Sequence, residues 1–220
     1  MSTPTNSPAP KSASGAPAAA AGAPAPSFEE QLRTFWEKNS TLVTGFIAAI
    51  ILAVLGKGAW DYFAAQREHD VQQEYAVAST SAALKTFATA HPDHTLAGVA
   101  QLRIADEAYT AGKYADAISG YEQAAASLKT GPLASRARLG LGVSKLLGGH
   151  VADGEAALKA IANDPNEIKP YRLEAIYHLA TTAAEAGRAT ELKAYTEQIG
   201  SLDATSPWAV QAMKLRVGGK

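Results

Sequence analysis

A long apolar stretch near the start of the chain constrains the fold most. Between Thr41 and Trp60 the only charged side chain is Lys57. About twenty residues of α-helix span about 30 Å, which is the thickness of the hydrocarbon core of a bilayer. The stretch therefore predicts one transmembrane helix over residues 41–60. The alternative is a core helix buried in a soluble domain, and the polar, dissimilar flanks of the stretch disfavour it.

Amphipathic side chains stand at both rims of this predicted span. Aromatic rings and long cationic side chains are favoured where a membrane helix meets the water interface. The predicted interface anchors are Trp36, Lys57, Trp60 and Tyr62. The flanking charges do not set the orientation, because each end of the span carries two basic residues.

The segments on either side of the span differ in composition. Residues 1–27 contain six prolines, nine alanines and five serines, and no aromatic residue, valine, isoleucine or leucine. Such a segment buries too little apolar surface to offset its chain entropy, so we expect a disordered tail. Residues 28–40 have apolar side chains at helical spacing, and Ser27 with Glu30 fits a capping box. They predict a short amphipathic juxtamembrane helix at the membrane surface.

The remainder of the chain is predicted to be all α-helical. No proline or glycine occurs between Asp61 and Pro92, which predicts a helical stalk over residues 61–94 that continues the membrane helix. From residue 95 to residue 220, helical patterns are separated by glycines and prolines, and no segment alternates as a strand does. The predicted helices cover about 95–111, 114–129, 133–148, 151–162, 171–187, 189–200 and 207–217.

A repeat underlies this last segment. The glycine turns at Gly112, Gly149 and Gly187 recur at intervals of 37 and 38 residues. Repeats of this length are typical of stacked helix pairs, in which neighbouring units bury a continuous core. The pattern predicts an α-solenoid of about three helix pairs plus a carboxyl-terminal helix.

The first unit resembles a tetratricopeptide repeat. Small residues, a turn glycine and aromatic residues stand where that motif has them, at Ala105, Gly112, Tyr114, Ala117, Tyr121 and Ala124. The next two units keep fewer of these positions, namely Gly142 and Gly149 in one and Ala180 and Gly187 in the other. The resemblance implies a domain that binds other proteins.

The whole arrangement is similar to a more specific family. A Phe35-Trp36 pair precedes one membrane span, Trp60-Asp61-Tyr62-Phe63 follows it, and degenerate repeats end in Ser206-Pro207-Trp208 and a last helix. Over about residues 28–217 this order resembles the ancillary SecYEG translocon subunit family. The resemblance implies a single-pass protein of the inner membrane of Gram-negative bacteria, with a cytoplasmic amino terminus and a periplasmic repeat domain.

That resemblance also implies partners. They would be the SecYEG translocon, a membrane-anchored periplasmic prolyl isomerase chaperone, exported client proteins and the lipid bilayer. The expected function is to help newly exported proteins meet periplasmic chaperones. An alternative is a tetratricopeptide-repeat scaffold in cell-envelope or outer-membrane assembly.

Composition and motifs argue against other classes of function. A net charge of −1 offers no basic surface for nucleic acid, and the absence of cysteine excludes thiol catalysis and cysteine-ligated zinc. His91 and His94 form an HxxH pair, so a metal-dependent hydrolase is a further alternative, but zinc needs three or four converging ligands. We find no catalytic constellation and expect a non-enzyme without cofactors or bound metal.

The resemblance to tetratricopeptide repeats also implies a binding groove on the first helix of each pair. The candidate groove residues are Leu102, Asp106, Tyr109, Arg136, Leu139, Val143, Tyr177 and Thr181. The alternative for the apolar ones is that they only pack against the next helix. Repeats that clamp a carboxyl-terminal carboxylate need Lys, Asn and Arg, whereas Leu102, Asp106, Gly140, Glu174 and His178 hold those positions here. We therefore expect extended or partly folded chains as ligands.

Overall fold

The computed structural model describes residues 27–218, and within them every regular element is an α-helix. The predicted disordered tail lies outside the described residues, except for Ser27. The helices are α1 (Phe28–Val77), α2 (Ser81–Ala90), α3 (Thr95–Thr110), α4 (Tyr114–Leu128), α5 (Pro132–Leu147), α6 (Val151–Asn163), α7 (Lys169–Glu185), α8 (Ala189–Asp203) and α9 (Pro207–Gly218). The predicted all-α class is confirmed. The described part of the chain divides between Asp61 and Tyr62 into two compact units.

Helix α1 begins at the predicted capping box. The backbone N–H of Glu30 donates to the Ser27 hydroxyl at 3.3 Å, and the backbone N–H of Ser27 donates to the Glu30 carboxylate at 3.1 Å. The helix does not end at residue 40, so residues 28–40 do not form a separate helix. The side-chain amide of Asn39 donates to the carbonyl of Phe35 at 3.0 Å and does not cap a new helix.

The apolar part of α1 has no buried residue. By length and composition the helix is suited to cross a membrane. The alternative of a core helix requires burial, which these residues lack. Trp36 and Trp60 are exposed, and Lys57 pairs with Asp61 one turn later at 2.6 Å.

The predicted unbroken stalk is wrong in one respect. Helix α1 ends at Val77 and α2 begins at Ser81, after Thr80 adopts an extended conformation with φ −110° and ψ 155°. The Thr80 hydroxyl accepts a hydrogen bond from the backbone N–H of Ala83 at 3.2 Å and so caps α2. Burial of apolar surface favours the break, because α2 turns its buried face, including Leu84 and Phe87, to the start of α3. Residues 81–90 therefore belong to the packed repeats.

Helices α3 to α8 form three pairs, and α9 packs on α7 and α8. The three predicted turn glycines follow the first helix of each pair and have φ between 67° and 85°, where a side chain would be strained. The first helices of neighbouring pairs also touch, α3 with α5 and α5 with α7. This stacking confirms the predicted repeat solenoid and places α3, α5 and α7 side by side.

Small residues bring the helices close together. Ala105, Ala117 and Ala124 are fully buried between α3 and α4. Larger side chains fill the later pairs, where Leu158, Ile176 and Ile199 are buried without any exposed surface. The core is therefore continuous from α5 to α9, and loss of volume in it should be costly.

One carboxylate is buried at the start of the third pair. The Glu167 side chain is 3% exposed and accepts hydrogen bonds from Arg138 at 2.8 Å and from the backbone N–H of Ile168 at 2.9 Å. Burial acts to raise the pKa of Glu167, but hydrogen bonds from Ser135, Arg138 and Ile168 outweigh burial and hold the pKa below its usual value. The ionised form is thus stabilised in the folded state.

We predict that this carboxylate makes stability depend on acid pH. Because the pKa of Glu167 is lower in the folded state than in the unfolded chain, its contribution is complete above the unfolded pKa and disappears as pH falls below it. Glu167→Gln should lower the free energy of unfolding by about 1–2 kcal/mol at pH 7, and the deficit should shrink as pH falls through the lowered pKa of Glu167 in the folded state. Denaturant unfolding of the full chain in detergent at a series of pH values measures this.

The matched control is Glu197→Gln on α8, where the side chain is 63% exposed and lies 3.9 Å from Lys193. Exposed ion pairs contribute little, so this variant should follow the native pH curve. A Glu167→Gln deficit that is unchanged from pH 7 to pH 3 would show that the effect is steric and not electrostatic.

Candidate protein-binding groove

Helices α3, α5 and α7 line an open cavity of about 360 Å³, and a second open cavity of about 300 Å³ adjoins it. We call the two together the groove. The first cavity is lined by Asp106, Tyr109, Thr110, Tyr121, Arg136, Leu139, Gly140, Val143, Tyr171, Glu174 and His178. The second shares Tyr109, Val143 and His178 and adds Leu146, Leu147, Val151, Thr181, Thr182 and Glu185. The first helix of each pair thus supplies nearly all of the lining.

Most of the candidate residues predicted from the sequence meet in the groove. The first cavity contains Asp106, Tyr109, Arg136, Leu139 and Val143, and the second contains Thr181. Leu139 and Val143 are nearly buried, because most of their surface packs against neighbouring helices. Only a small part of each forms the floor of the groove. The groove is therefore apolar at its base and polar at its sides.

Two predicted groove residues lie elsewhere. Leu102 is only 4% exposed and belongs to the core between α3, α4 and α5. Tyr177 packs on Trp208 of α9 with their ring centroids 5.0 Å apart. Leu102 is thus covered, as the packing alternative expects, whereas Tyr177 is half-buried against α9.

A charged pair crosses the groove from α3 to α5. The Arg136 guanidinium donates to Asp106 at 2.7 Å, and the Tyr121 hydroxyl donates to the other Asp106 oxygen at 2.8 Å. Burial and the hydrogen bond to Asp106 raise the pKa of Tyr121, so the phenol stays protonated and keeps donating. The hydrogen bond to Asp106 likewise raises the pKa of Arg136. The Arg136 guanidinium thereby balances the charge of the Asp106 carboxylate, and the two hydrogen bonds fix its position.

Glu174 and His178 on α7 have no such partners. Within the described part of the chain no hydrogen bond reaches the Glu174 carboxylate, and the His178 ring nitrogen lies 4.0 Å away. Burial raises the pKa of Glu174, and the nearby Arg136 only partly opposes it. Burial lowers the pKa of His178, so the imidazole is neutral at pH 7.

Several groove residues were not among the candidates predicted from the sequence. Tyr171 follows Pro170 in the first turn of α7, where its ring reaches the cavity from the helix start. Gly140 leaves space for Tyr121, because a Cβ at this position would lie 2.5 Å from the ring. In the sequence, a glycine at residue 140 on α5 and an aromatic residue at 121 on α4 were the available indication of this contact.

The HxxH pair does not form a metal site in the described residues. His91 contacts Glu74 at 2.6 Å and His94 contacts Glu68 at 3.0 Å, so each imidazole faces a different carboxylate of α1. The hydrogen bond from His94 lowers the pKa of Glu68. No group of three or more potential ligands occurs in residues 27–218. The two histidines instead connect the turn before α3 to the end of α1.

The stacked helix pairs and the groove on their first helices define a helical-repeat protein. The family model for the tetratricopeptide repeat-like domain matches residues 33–215, so the chain belongs to that family. Domains of this kind are in general protein-interaction modules and not enzymes. Comparison with curated proteins finds no match, and comparison with solved structures finds none.

Proposed function

We propose that this protein is a membrane-anchored periplasmic interaction module that associates with the Sec translocon and helps newly exported proteins reach periplasmic chaperones. The observation that carries the proposal is a partly polar, partly apolar groove in a repeat domain whose chain also contains a helix able to cross a membrane. The order of segments, similar to the ancillary SecYEG translocon subunit family, supplies the choice of partner.

The groove suits weak binding of extended chains. Its apolar floor is small, because Leu139 and Val143 are nearly buried, so it discriminates loosely among apolar side chains. A membrane anchor compensates for weak contacts, because confinement beside the translocon raises the effective concentration of emerging chains. The partners would be the SecYEG translocon, the membrane-anchored prolyl isomerase and exported clients.

The proposed topology places the amino terminus in the cytoplasm and the repeats in the periplasm of a Gram-negative bacterium. Residues 41–60 would cross the inner membrane, with Trp36, Lys57, Trp60 and Tyr62 at its interfaces. Reporters active only outside or only inside the cytoplasm, fused in parallel after Lys220, measure this. Activity of the outside reporter supports the proposal, and activity of the inside reporter contradicts it.

Site-specific crosslinking tests the partners. A photoreactive side chain in place of Thr181 would lie in the second cavity, and one in place of Glu197 would lie on the exposed surface of α8. In native membranes we expect translocon subunits, the prolyl isomerase or exported chains to crosslink at residue 181 and not at residue 197. Crosslinks only to outer-membrane assembly proteins would favour the envelope-scaffold alternative.

A further inference from the structure

We propose that the groove selects extended chains by a cationic side chain, a lysine or arginine, which binds at Glu174 while a neighbouring apolar residue rests on Leu139 and Val143. This inference depends on the proposed function only in that the groove must bind polypeptide. It adds the chemistry by which the groove would choose among exported segments.

The charges that line the first cavity do not cancel. Asp106 and Arg136 neutralise each other at 2.7 Å, and His178 carries no charge at pH 7 because burial lowers its pKa. Glu174 is the remaining charged side chain of the lining, so the cavity has a net charge of −1 when Glu174 is ionised. A complementary ligand is therefore a cation, and a ligand with a carboxylate is repelled by it.

Glu174 is poorly solvated in the groove. Its side chain is one-third exposed, and in the described residues no donor lies within hydrogen-bonding distance of it. A half-buried carboxylate without a hydrogen bond has lost hydration that nothing in the protein replaces. An ammonium or guanidinium group entering the cavity would form a charge-assisted hydrogen bond and recover that loss.

The neighbours of Glu174 also suit a cation with an apolar stem. Burial, then Tyr114 and then Glu174 raise the pKa of the Tyr109 hydroxyl, so Tyr109 lies near Glu174. Tyr171 lines the same cavity. Aromatic faces attract cations, and the methylene stems of lysine and arginine pack on apolar surface. Leu139 and Val143 form such a surface at the base of the cavity.

Binding of designed peptides to the full chain tests the inference. Three fluorescent peptides of equal length would alternate leucine with lysine, glutamine or glutamate, and the protein would be held in nanodiscs of phosphatidylcholine, which carry no net charge. Fluorescence anisotropy at fixed salt gives each dissociation constant, with empty nanodiscs as the blank. We expect the lysine peptide to bind about tenfold more tightly than the glutamine peptide, and the glutamate peptide to bind least.

Substitution locates the effect. Glu174→Gln should raise the dissociation constant of the lysine peptide about tenfold, because the substitution removes only the charge. It should change the dissociation constant of the glutamine peptide by no more than about twofold. Glu197→Gln removes the same charge from the exposed surface of α8 and should change the dissociation constant of neither peptide. Circular dichroism confirms that both variants are folded.

The outcomes separate this inference from the proposed function. Equal binding of the lysine and glutamine peptides, or an unchanged lysine affinity in Glu174→Gln, overturns recognition of the cation and leaves peptide binding intact. Failure of all three peptides to bind overturns the groove as a peptide site, and this inference with it.

Discussion

Truncating Leu158 to alanine is expected to lower the free energy of unfolding by about 2–5 kcal/mol. Leu158 lies on α6 with 0% of its surface exposed. Its side chain lies directly over Gly142 of α5, where a Cβ would stand 2.8 Å from the nearer leucine methyl. Because Gly142 has no side chain that could shift into the vacated volume, the cavity left by the substitution cannot easily collapse. Natural domains have only about 5–15 kcal/mol of stability, so the loss is a large share of the total.

Leu147→Ala is the matched control for this prediction. Leu147 ends α5, is 51% exposed, and loses the same atoms on truncation. We expect a change within about 0.5 kcal/mol, since no buried cavity forms. Urea unfolding of the full chain in detergent, followed by circular dichroism, gives both values. Similar losses for the two leucines would contradict the described packing of α6 on α5.

The helix boundaries were largely predictable because glycine and proline punctuate them. The predicted helix 133–148 corresponds to Pro132–Leu147, and 151–162 corresponds to Val151–Asn163. Among the helices predicted after residue 94, the largest error lies at the end of α8, which was predicted to stop at residue 200 but runs to Asp203. There Gly200 remains helical, and the Asp203 side chain accepts from the backbone N–H of Thr205 at 3.0 Å and so supplies the turn beyond the helix.

Pairings between repeats were less predictable than the repeats themselves. A helical period places Leu102 and Asp106 on one stripe of α3, and both were expected in the groove. Which of them is covered depends on side chains from other helices. Tyr121 and Ala137 bury Leu102, whereas Arg136 approaches Asp106 across thirty positions of sequence. A period along one helix carries no information about these distant neighbours.

The break before α2 was missed for a similar reason. Ser79 and Thr80 are residues that favour a helix N-cap, but they lie in a segment without glycine or proline, where a continuous helix is equally consistent with the pattern. The decisive contribution is the packing of α2 on α3, in which Phe87 and Ala100 share one core cluster. That contribution exists only once the solenoid is assembled.

Replacing Gly154 by alanine is expected to lower the free energy of unfolding by about 1–3 kcal/mol, although alanine is the better helix former. Gly154 lies on α6, where a Cβ would stand 2.8 Å from the backbone nitrogen of Leu146 on α5. A backbone atom inside a helix cannot rotate away from the contact as a side chain can. The two helices must therefore separate, and the loss of packing between them exceeds the gain of about 1 kcal/mol in helix propensity.

Gly200→Ala makes the same chemical change with the opposite expected sign. Gly200 lies within α8, and a Cβ there would meet no atom within 4 Å. Without a clash the helix propensity of alanine should raise stability by about 0.5–1 kcal/mol. Urea unfolding of the full chain in detergent distinguishes the two variants by the direction of the midpoint shift. If both variants are stabilised, α5 and α6 lie further apart than the structure places them, since only the close approach of their backbones opposes the propensity of alanine at residue 154.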